Sequence, residues 1–360
     1  MDVRRWMQVL KEKIVPIEDV KETSHRLSIS LAIRDLLLDE VSGDVLEESP
    51  QVEALAARIR GEMRIFPMRK HEAFTHVAGV DAGSQILPLS SRRYGIMSAL
   101  AYSLPGGVRF FIAPESMSIP YTSMGERFRG TMNVRREAKL YETAALFLES
   151  YPETELLLVD GPLAFSNLWM LSGCRKDRER FVEAVNRLLR GCRDAGVAVA
   201  GIVKRPSARY LVCHLGLQDE TELPDSFLLL QALRAGERTD IFSPRSALRE
   251  AGLAAPFMDA FEAPIYSFYA RMSREWSIPP IRVDLPAYSL AQLDDVADYC
   301  YSSSYHDGIP LPIVRADEEV RISRRFVADI YSEIVGRVER ARVEVSHIAP
   351  YWGEARWMGA

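Results

Sequence analysis

The sequence predicts an α/β protein in which a mixed sheet is flanked by helices, with helical additions at the N-terminal and C-terminal ends. Two observations carry this. First, two short apolar runs, Val77–Val80 in "HVAGVDAGSQ" and Leu156–Val159 in "ELLLVDGPLAF", are each followed by an aspartate and turn-forming residues, the pattern of strands buried on both faces. Second, helical and strand patterns alternate along the chain with no internal repeat and no low-complexity linker, which favours one compact layered domain.

Composition sets the outer limits. A chain of 360 residues with 48% hydrophobic and 26% charged residues can bury a large core. No apolar run approaches the length of a membrane span. The opening "MDVRRWMQVLKEKIV" lacks a continuous apolar stretch and reads as an amphipathic helix, not a secretory signal. Cys174, Cys192, Cys213 and Cys300 form no C-x-x-C pair, and the six histidines show no ligand spacing. This argues against a zinc or redox motif, and reduced thiols in a cytoplasmic protein are expected. A net charge of −5 does not announce a nucleic-acid binder, although clustered basic residues can create a local field of the opposite sign.

The elements follow in order. Residues 1–62 read as a helical arm, residues 63–345 as the main domain and residues 346–360 as a tail. After the Asp81 strand, "YGIMSALAYSL", "GGVRFFIAP" and "SIPYTS" form a meander, with "LPGG" as a hairpin signal. A helix over about 127–150 buries Leu140, Ala144, Phe147 and Leu148. The Asp160 strand, a basic helix (about 172–195) and the buried strand "VAVAGIVKRP" come next. "ARYLVCHLG" fits either strand or helix, and a helix is expected to run to Gly236. "APIYSFYARM" and "PPIRVDLPA" read as strands, and helices over about 289–301 and 316–342 complete the domain.

Two strands that each deliver an aspartate at a carboxyl end place two carboxylates side by side, where ligands gather in open α/β sheets. Such a pair repels itself unless a proton or a divalent cation intervenes, and Mg²⁺ and Mn²⁺ prefer oxygen ligands. Further carboxylates are available on the helix between the strands, Glu137 or Glu142, which cannot both face one site. Asp317 follows Pro310 and Pro312 and precedes a helical pattern, so it is expected near a helix N-terminus, as a ligand or as an N-cap.

The ordered pieces "GVDAGS", meander, Arg/Glu helix, "LLLVDGPL", "GIVKRP", "RAGERTDIF", "FYARMSREWSIPPIRVDLP" and "GIPLPIVRADEEVRI" resemble the NurA nuclease family over roughly residues 75–335. The resemblance implies a ribonuclease H-like core and metal-dependent 5'–3' exonuclease and single-strand endonuclease action on DNA. It implies Mn²⁺ (or Mg²⁺) as cofactor, as two ions. It also implies a HerA-type hexameric ATPase as partner, with this chain as a homodimer in DNA end processing.

By the same resemblance Asp81, Asp160 and Glu137 are metal ligands, with Glu142 as substitute, and Lys204 is a catalytic lysine. Asp317 stands where the family often has histidine. Asp81 is expected to bridge the ions, and Lys204 to stabilise charge on the phosphate. The Asp-for-His departure keeps open a catalytically weak scaffold of a HerA-type ATPase. "GVDAGS" also resembles the phosphate turn of actin-like ATPases and sugar kinases, but the second Gly-rich turn and the adenosine loop are missing.

Basic residues gather beside each candidate. Arg127, Arg129, Arg135, Arg136 and Lys139 surround the helical glutamate; Arg175, Lys176, Arg178 and Arg180 follow Asp160; Lys204, Arg205 and Arg209 follow the next strand; Arg315, Arg321, Arg324 and Arg325 flank Asp317. Of these, Arg129, Arg135, Arg136, Arg175, Lys176, Arg205 and Arg209 are the expected DNA contacts. Tyr141, Phe165 and Trp169 offer faces for stacking on unpaired bases or for packing in the core. Tyr351, Trp352 and Trp357 in the tail fit a docking element or a packed strand.

Overall fold

The computed structural model describes residues 23–89, 92–120, 125–165 and 173–348. The helix expected over the first fifteen residues, Trp169, and the aromatic tail with Tyr351, Trp352 and Trp357 lie outside them. The chain divides at Leu55/Ala56 into two units. Helix α1 (Thr23–Glu62) spans this division, and its part in the first unit exposes Leu31, Ile33, Leu36, Leu37, Leu38, Val41, Val45 and Leu46.

The second unit is built on a sheet with ten strands among the described residues. In chain order these are β1 (Ile65–Pro67), β2 (Val77–Pro88), β3 (Arg92–Leu104), β4 (Val108–Phe111), β5 (Glu115–Pro120), β6 (Leu156–Asp160), β7 (Ala198–Val203), β8 (Glu237–Thr239), β9 (Ile265–Ala270) and β10 (Ile281–Pro286). Their spatial order is β1-β8-β9-β10-β7-β6-β2-β3-β4, with β5 also on β3. Only β2–β6 and β6–β7 are parallel; the rest of the sheet is antiparallel. The labelled helices that matter are α2 (Gly125–Ser150), α3 (Arg175–Ala195), α4 (Leu293–Ser303), α5 (Leu311–Val320) and α6 (Arg324–Arg340).

Strand alternation divides the core. Leu156 and Leu158 of β6, Ile202 of β7 and Val283 of β10 face Val296 and Cys300 of α4 and Ile313 of α5. The other face is covered by α2 and α3, whose Tyr141 and Phe181 rings lie 5.8 Å apart. Phe165 joins that cluster, and both Tyr141 and Phe165 are fully buried. Neither can therefore stack on a nucleobase.

Several elements differ from the sequence reading. β2 does not stop at Asp81; it runs on to Pro88, paired with β3 throughout, while its pairing with β6 ends at Val80↔Val159. The small residues after Asp81 are thus strand, not turn. "ARYLVCHLG" holds a short helix, Tyr210–His214, and the next helix stops at Ala232, leaving Glu237–Thr239 to form β8.

The largest difference lies at the C-terminal helices. One expected helix is two, and α5 begins at Leu311, because a proline in the first turn has no helical hydrogen bond to lose. Asp317 therefore sits in the body of α5, not at an N-cap. The cap role falls to Ser323, whose Oγ accepts from Phe326 N at 3.1 Å.

Glycine places α5. Gly79 and Gly83 lie on the same face of β2 as Asp81, two residues to either side. A Cβ at Gly79 would fall on the Pro312 carbonyl, and one at Gly83 would sit 2.7 Å from the Val320 oxygen. The helix backbone thus rests directly on the strand, while Ala316 and Val320 pack on Leu100 and Tyr102 of β3. We expect Gly79→Ala to force α5 outward, lowering stability by ~1–3 kcal/mol. Thermal melts of the variant beside wild type check this; an unchanged melting temperature would show that the helix is not held by this contact.

Candidate active site

Asp160 is the last residue of β6, and Asp81 is the first residue of β2 beyond its pairing with β6. The two carboxylates are therefore neighbours at the point where parallel pairing ends. α5 crosses above them and adds Asp317. Asp81, Asp160 and Asp317 each offer an oxygen within 4.8 Å of the others. From β7, Lys204 reaches back with its Nζ 2.6 Å from Asp160 Oδ2 and 3.5 Å from Asp317 Oδ1.

The turn after Asp160 is fixed from below. Gly161 has φ +152°, a conformation open to glycine alone among the common residues. The chain then folds back over Gly201, where a Cβ would lie 2.7 Å from the Gly161 carbonyl. Asp284 of β10, fully buried, accepts from Leu163 N and Ala164 N at 3.0 Å with one oxygen. Its other oxygen accepts from Ser267 Oγ and Arg282 Nε. Tyr141 donates its hydroxyl to Pro162 O at 2.5 Å. These bonds hold the segment that orients Asp160.

The cleft around the carboxylates has a volume of about 620 Å³ and is lined by Asp81, Asp160, Asp317, Glu137, Arg136 and Arg321, among others. Glu137 comes from α2 and is buried. Its Oε1 accepts from Arg136 Nη2 at 2.6 Å, while Oε2 and Arg136 Nε are buried without partners. Buried polar atoms without a bond are costly, so both groups are poised for a ligand. Glu142 lies outside this cleft and is engaged by Arg180.

The remaining basic residues divide by what they touch. Arg135 is paired with buried Asp177, and Arg209 donates to the carbonyls of Gln218 and Thr221, so both are held by the fold. Arg175 pairs with Glu179, and Lys176, Arg129 and Arg205 are exposed. Arg180 bridges Glu115 and Glu142, Arg178 bonds Gly173 O, Lys139 bonds Ala113 O, and Arg315 pairs with Glu318. Arg325 is exposed, and the side chains of Arg127 and Arg324 are outside those described. Two features escaped the sequence reading: the docking role of Gly79 and Gly83, and Asp284 beneath the site. Glycines at −2 and +2 around a strand aspartate, and an acidic residue inside the apolar run of "IRVDLP", were their signals.

Electrostatics follow from burial. Desolvation, reinforced by Asp160, pushes the Asp81 carboxyl up to about 8. Burial also raises Asp160, against the opposing pull of Lys204. Burial works against the Lys204 ammonium, but Asp160, Asp317 and Asp81 outweigh it and hold its pKa above the ordinary value.

The chain carries the NurA domain over residues 75–322, well over half of its length, and so belongs to the NurA family of nucleases. The NurA nuclease from Sulfolobus solfataricus matches with a TM-score of 0.62 at 15% sequence identity, over 86% of this chain and 98% of that one. A NurA structure with manganese matches with a TM-score of 0.54 at 12% identity, over 85% and 98%. At such identities the likeness speaks for the fold, and it is the α/β, ribonuclease H-like arrangement that the sequence predicts. A comparison with curated proteins gives no significant match.

A pH dependence follows from Asp81. Its folded pKa of about 8 lies above the ordinary 3.8, so the folded state binds the proton more tightly than the unfolded state. The associated stability is full below about pH 4 and is lost as pH rises towards 8. In the presence of a chelator, Asp81→Asn should flatten this decline and exceed wild type in stability at pH 8 by on the order of 2 kcal/mol. Melting temperatures from pH 4 to 9 check it; parallel curves for the two proteins would contradict it.

Proposed function

We propose that the chain is a divalent-metal-dependent DNA nuclease that cleaves phosphodiester bonds at the cleft between β2, β6, α2 and α5. The observation that carries this reading is the convergence of Asp81, Asp160 and Asp317 within 4.8 Å of one another. The donor set suits a hard cation: all the candidate ligands are carboxylates, and Glu137 Oε2 is a buried oxygen without a partner. The structural relative described with manganese supports Mn²⁺ as the ion.

In this mechanism Asp81, Asp160, Glu137 and Asp317 would hold two Mn²⁺ (or Mg²⁺) ions, with Asp81 as the central ligand. When bound, the ions acidify the attacking water and neutralise charge on the leaving oxygen. Asp81 is suited to that place because it lies within a paired strand and cannot shift without the sheet. Asp317, 55% exposed at its side chain, faces the open side of the cleft and orients the water. Asp in place of the family's histidine offers a carboxylate oxygen where the imidazole offers a nitrogen, and a hard cation accepts it. Lys204 Nζ, already between two carboxylates, is positioned to meet the charge that develops on the phosphate. Arg136 and Arg321 line the approach for the adjoining phosphates, with Arg129, Arg175, Lys176 and Arg205 further out. We propose 5'–3' exonuclease and single-strand endonuclease action, with the chain as a homodimer working with a HerA-type hexameric DNA translocase in end processing.

End-labelled single- and double-stranded DNA, incubated with Mn²⁺, Mg²⁺ or EDTA, tests the reading. Loss of label should require metal and fall at least ~100-fold in Asp81→Ala and Asp160→Ala. Glu137→Gln should impair cleavage, whereas Glu142→Gln should leave it largely intact. Label that survives every metal, with or without a HerA-type ATPase, or that disappears equally with Asp81→Ala, would overturn the assignment.

A further inference from the structure

At the sheet end where Asp160 lies, four strands stand in the order β6, β7, β10, β9. β6 ends on Asp160, and β7 delivers Lys204 and Arg205 directly after Val203. β10 starts beside that point, with Arg282 opposite Val203, and β9 ends with Ala270 opposite Ile281. The connection 271–280 therefore leaves and re-enters the sheet at the same end as the carboxylates. With strands ~4.8 Å apart, its two roots stand roughly 10 and 15 Å from β6.

This connection is anchored. Ser273 Oγ donates to His306 O at 2.7 Å, and Glu275 N donates to Ser273 Oγ at 3.1 Å. Gly308 lies against Ile278, Met272 and Ser273, so closely that a Cβ there would sit 3.3–3.5 Å from them. The segment 304–310, which leads into α5 and Asp317, thus forms a double rim with residues 271–280. From this rim Trp276 exposes 81% of its surface and Tyr305 65%. Trp276 is the most exposed large hydrophobic side chain among the described residues.

An exposed indole leaves a large apolar face in water, and burying it against a flat partner is favourable. Nucleobases supply such partners, and stacking on aromatic side chains tolerates any sequence. Arg205, exposed and without an ion pair among the described residues, lies at the end of the strand between the carboxylates and the rim. We propose that Trp276 and Tyr305 form a stacking platform for the unpaired bases of single-stranded DNA, with Arg205 meeting the backbone between platform and cleft. The proposal rests on the nuclease reading and extends it. A separation of 10–15 Å corresponds to about three to four stacked nucleotides, so the platform holds the strand just outside the cleavage position.

Binding is measured apart from cleavage, as fluorescence anisotropy of labelled oligo-dT in EDTA. Quenching of 2-aminopurine placed along the oligonucleotide reports stacking. Trp276→Ala should weaken oligo-dT binding about tenfold and reduce the quenching, Trp276→Phe should restore most of both, and Tyr305→Ala should add to the loss. Melting temperatures should not change, because both side chains are exposed. If the Trp276→Ala/Tyr305→Ala double variant binds oligo-dT within twofold of wild type, the platform is refuted, while Asp81-dependent cleavage would still uphold the nuclease. If binding depends on Trp276 but no metal gives cleavage, the platform stands and the nuclease reading falls.

Discussion

Helix α5 can lie on β2 only because the strand offers bare backbone at Gly79 and Gly83. Everything in the cleft depends on this contact, since it sets the height at which Asp317 hangs over Asp81 and Asp160. A side chain at either position would lift the helix, and a shift of one ångström at a ligand is enough to spoil a metal site. The helix gains its own hold from Ile313 in the main core and from Ala316 and Val320 on β3. Packing of an ordinary kind is thereby used to bring like charges together.

Those charges are the second constraint. Three carboxylates with one ammonium among them leave an excess of negative charge at a place where Asp81 and Asp160 are largely withdrawn from water. Burial favours the protonated form of Asp81, and Lys204 is held against Asp160 and Asp317. Stability is given up locally to keep these carboxylates together. Burial keeps the carboxylates close, and the same burial makes their repulsion strong.

The third feature is the buried support beneath Asp160. Asp284 takes two backbone N–H groups of the turn and is itself held by Ser267 and Arg282, and Arg282 stacks over the Tyr210 ring. A fully buried ion pair is justified where its hydrogen bonds are satisfied, and here they are spent on the one turn whose geometry places a candidate ligand. The rim that carries Trp276 and Tyr305 is likewise fixed, by the Ser273 hydroxyl that donates to His306 O and accepts from Glu275 N, so the cleft and its surroundings are preorganised.

The sequence by itself determined the alternation of strands and helices, the two aspartates at the ends of apolar runs, and the ordered motifs of the NurA family, because periodicity and turn chemistry are local properties. It left Glu137 and Glu142 open, since both lie on one helix and only the packing of α2 shows which enters the cleft. It placed Asp317 at a helix start, because prolines read locally as breakers, whereas in the fold they occupy a first turn. Arg135 and Arg209 read as free cations in the sequence, and the tertiary structure engages them with Asp177 and with backbone carbonyls. Strand order was not legible either: that β10 and β9 bring Trp276 to the Asp160 end of the sheet follows from pairing between residues far apart in the chain, Asp160 with Ile202 and Val203 with Arg282. Local chemistry named the candidate carboxylates, and long-range pairing and glycine-permitted contact decided which of them meet.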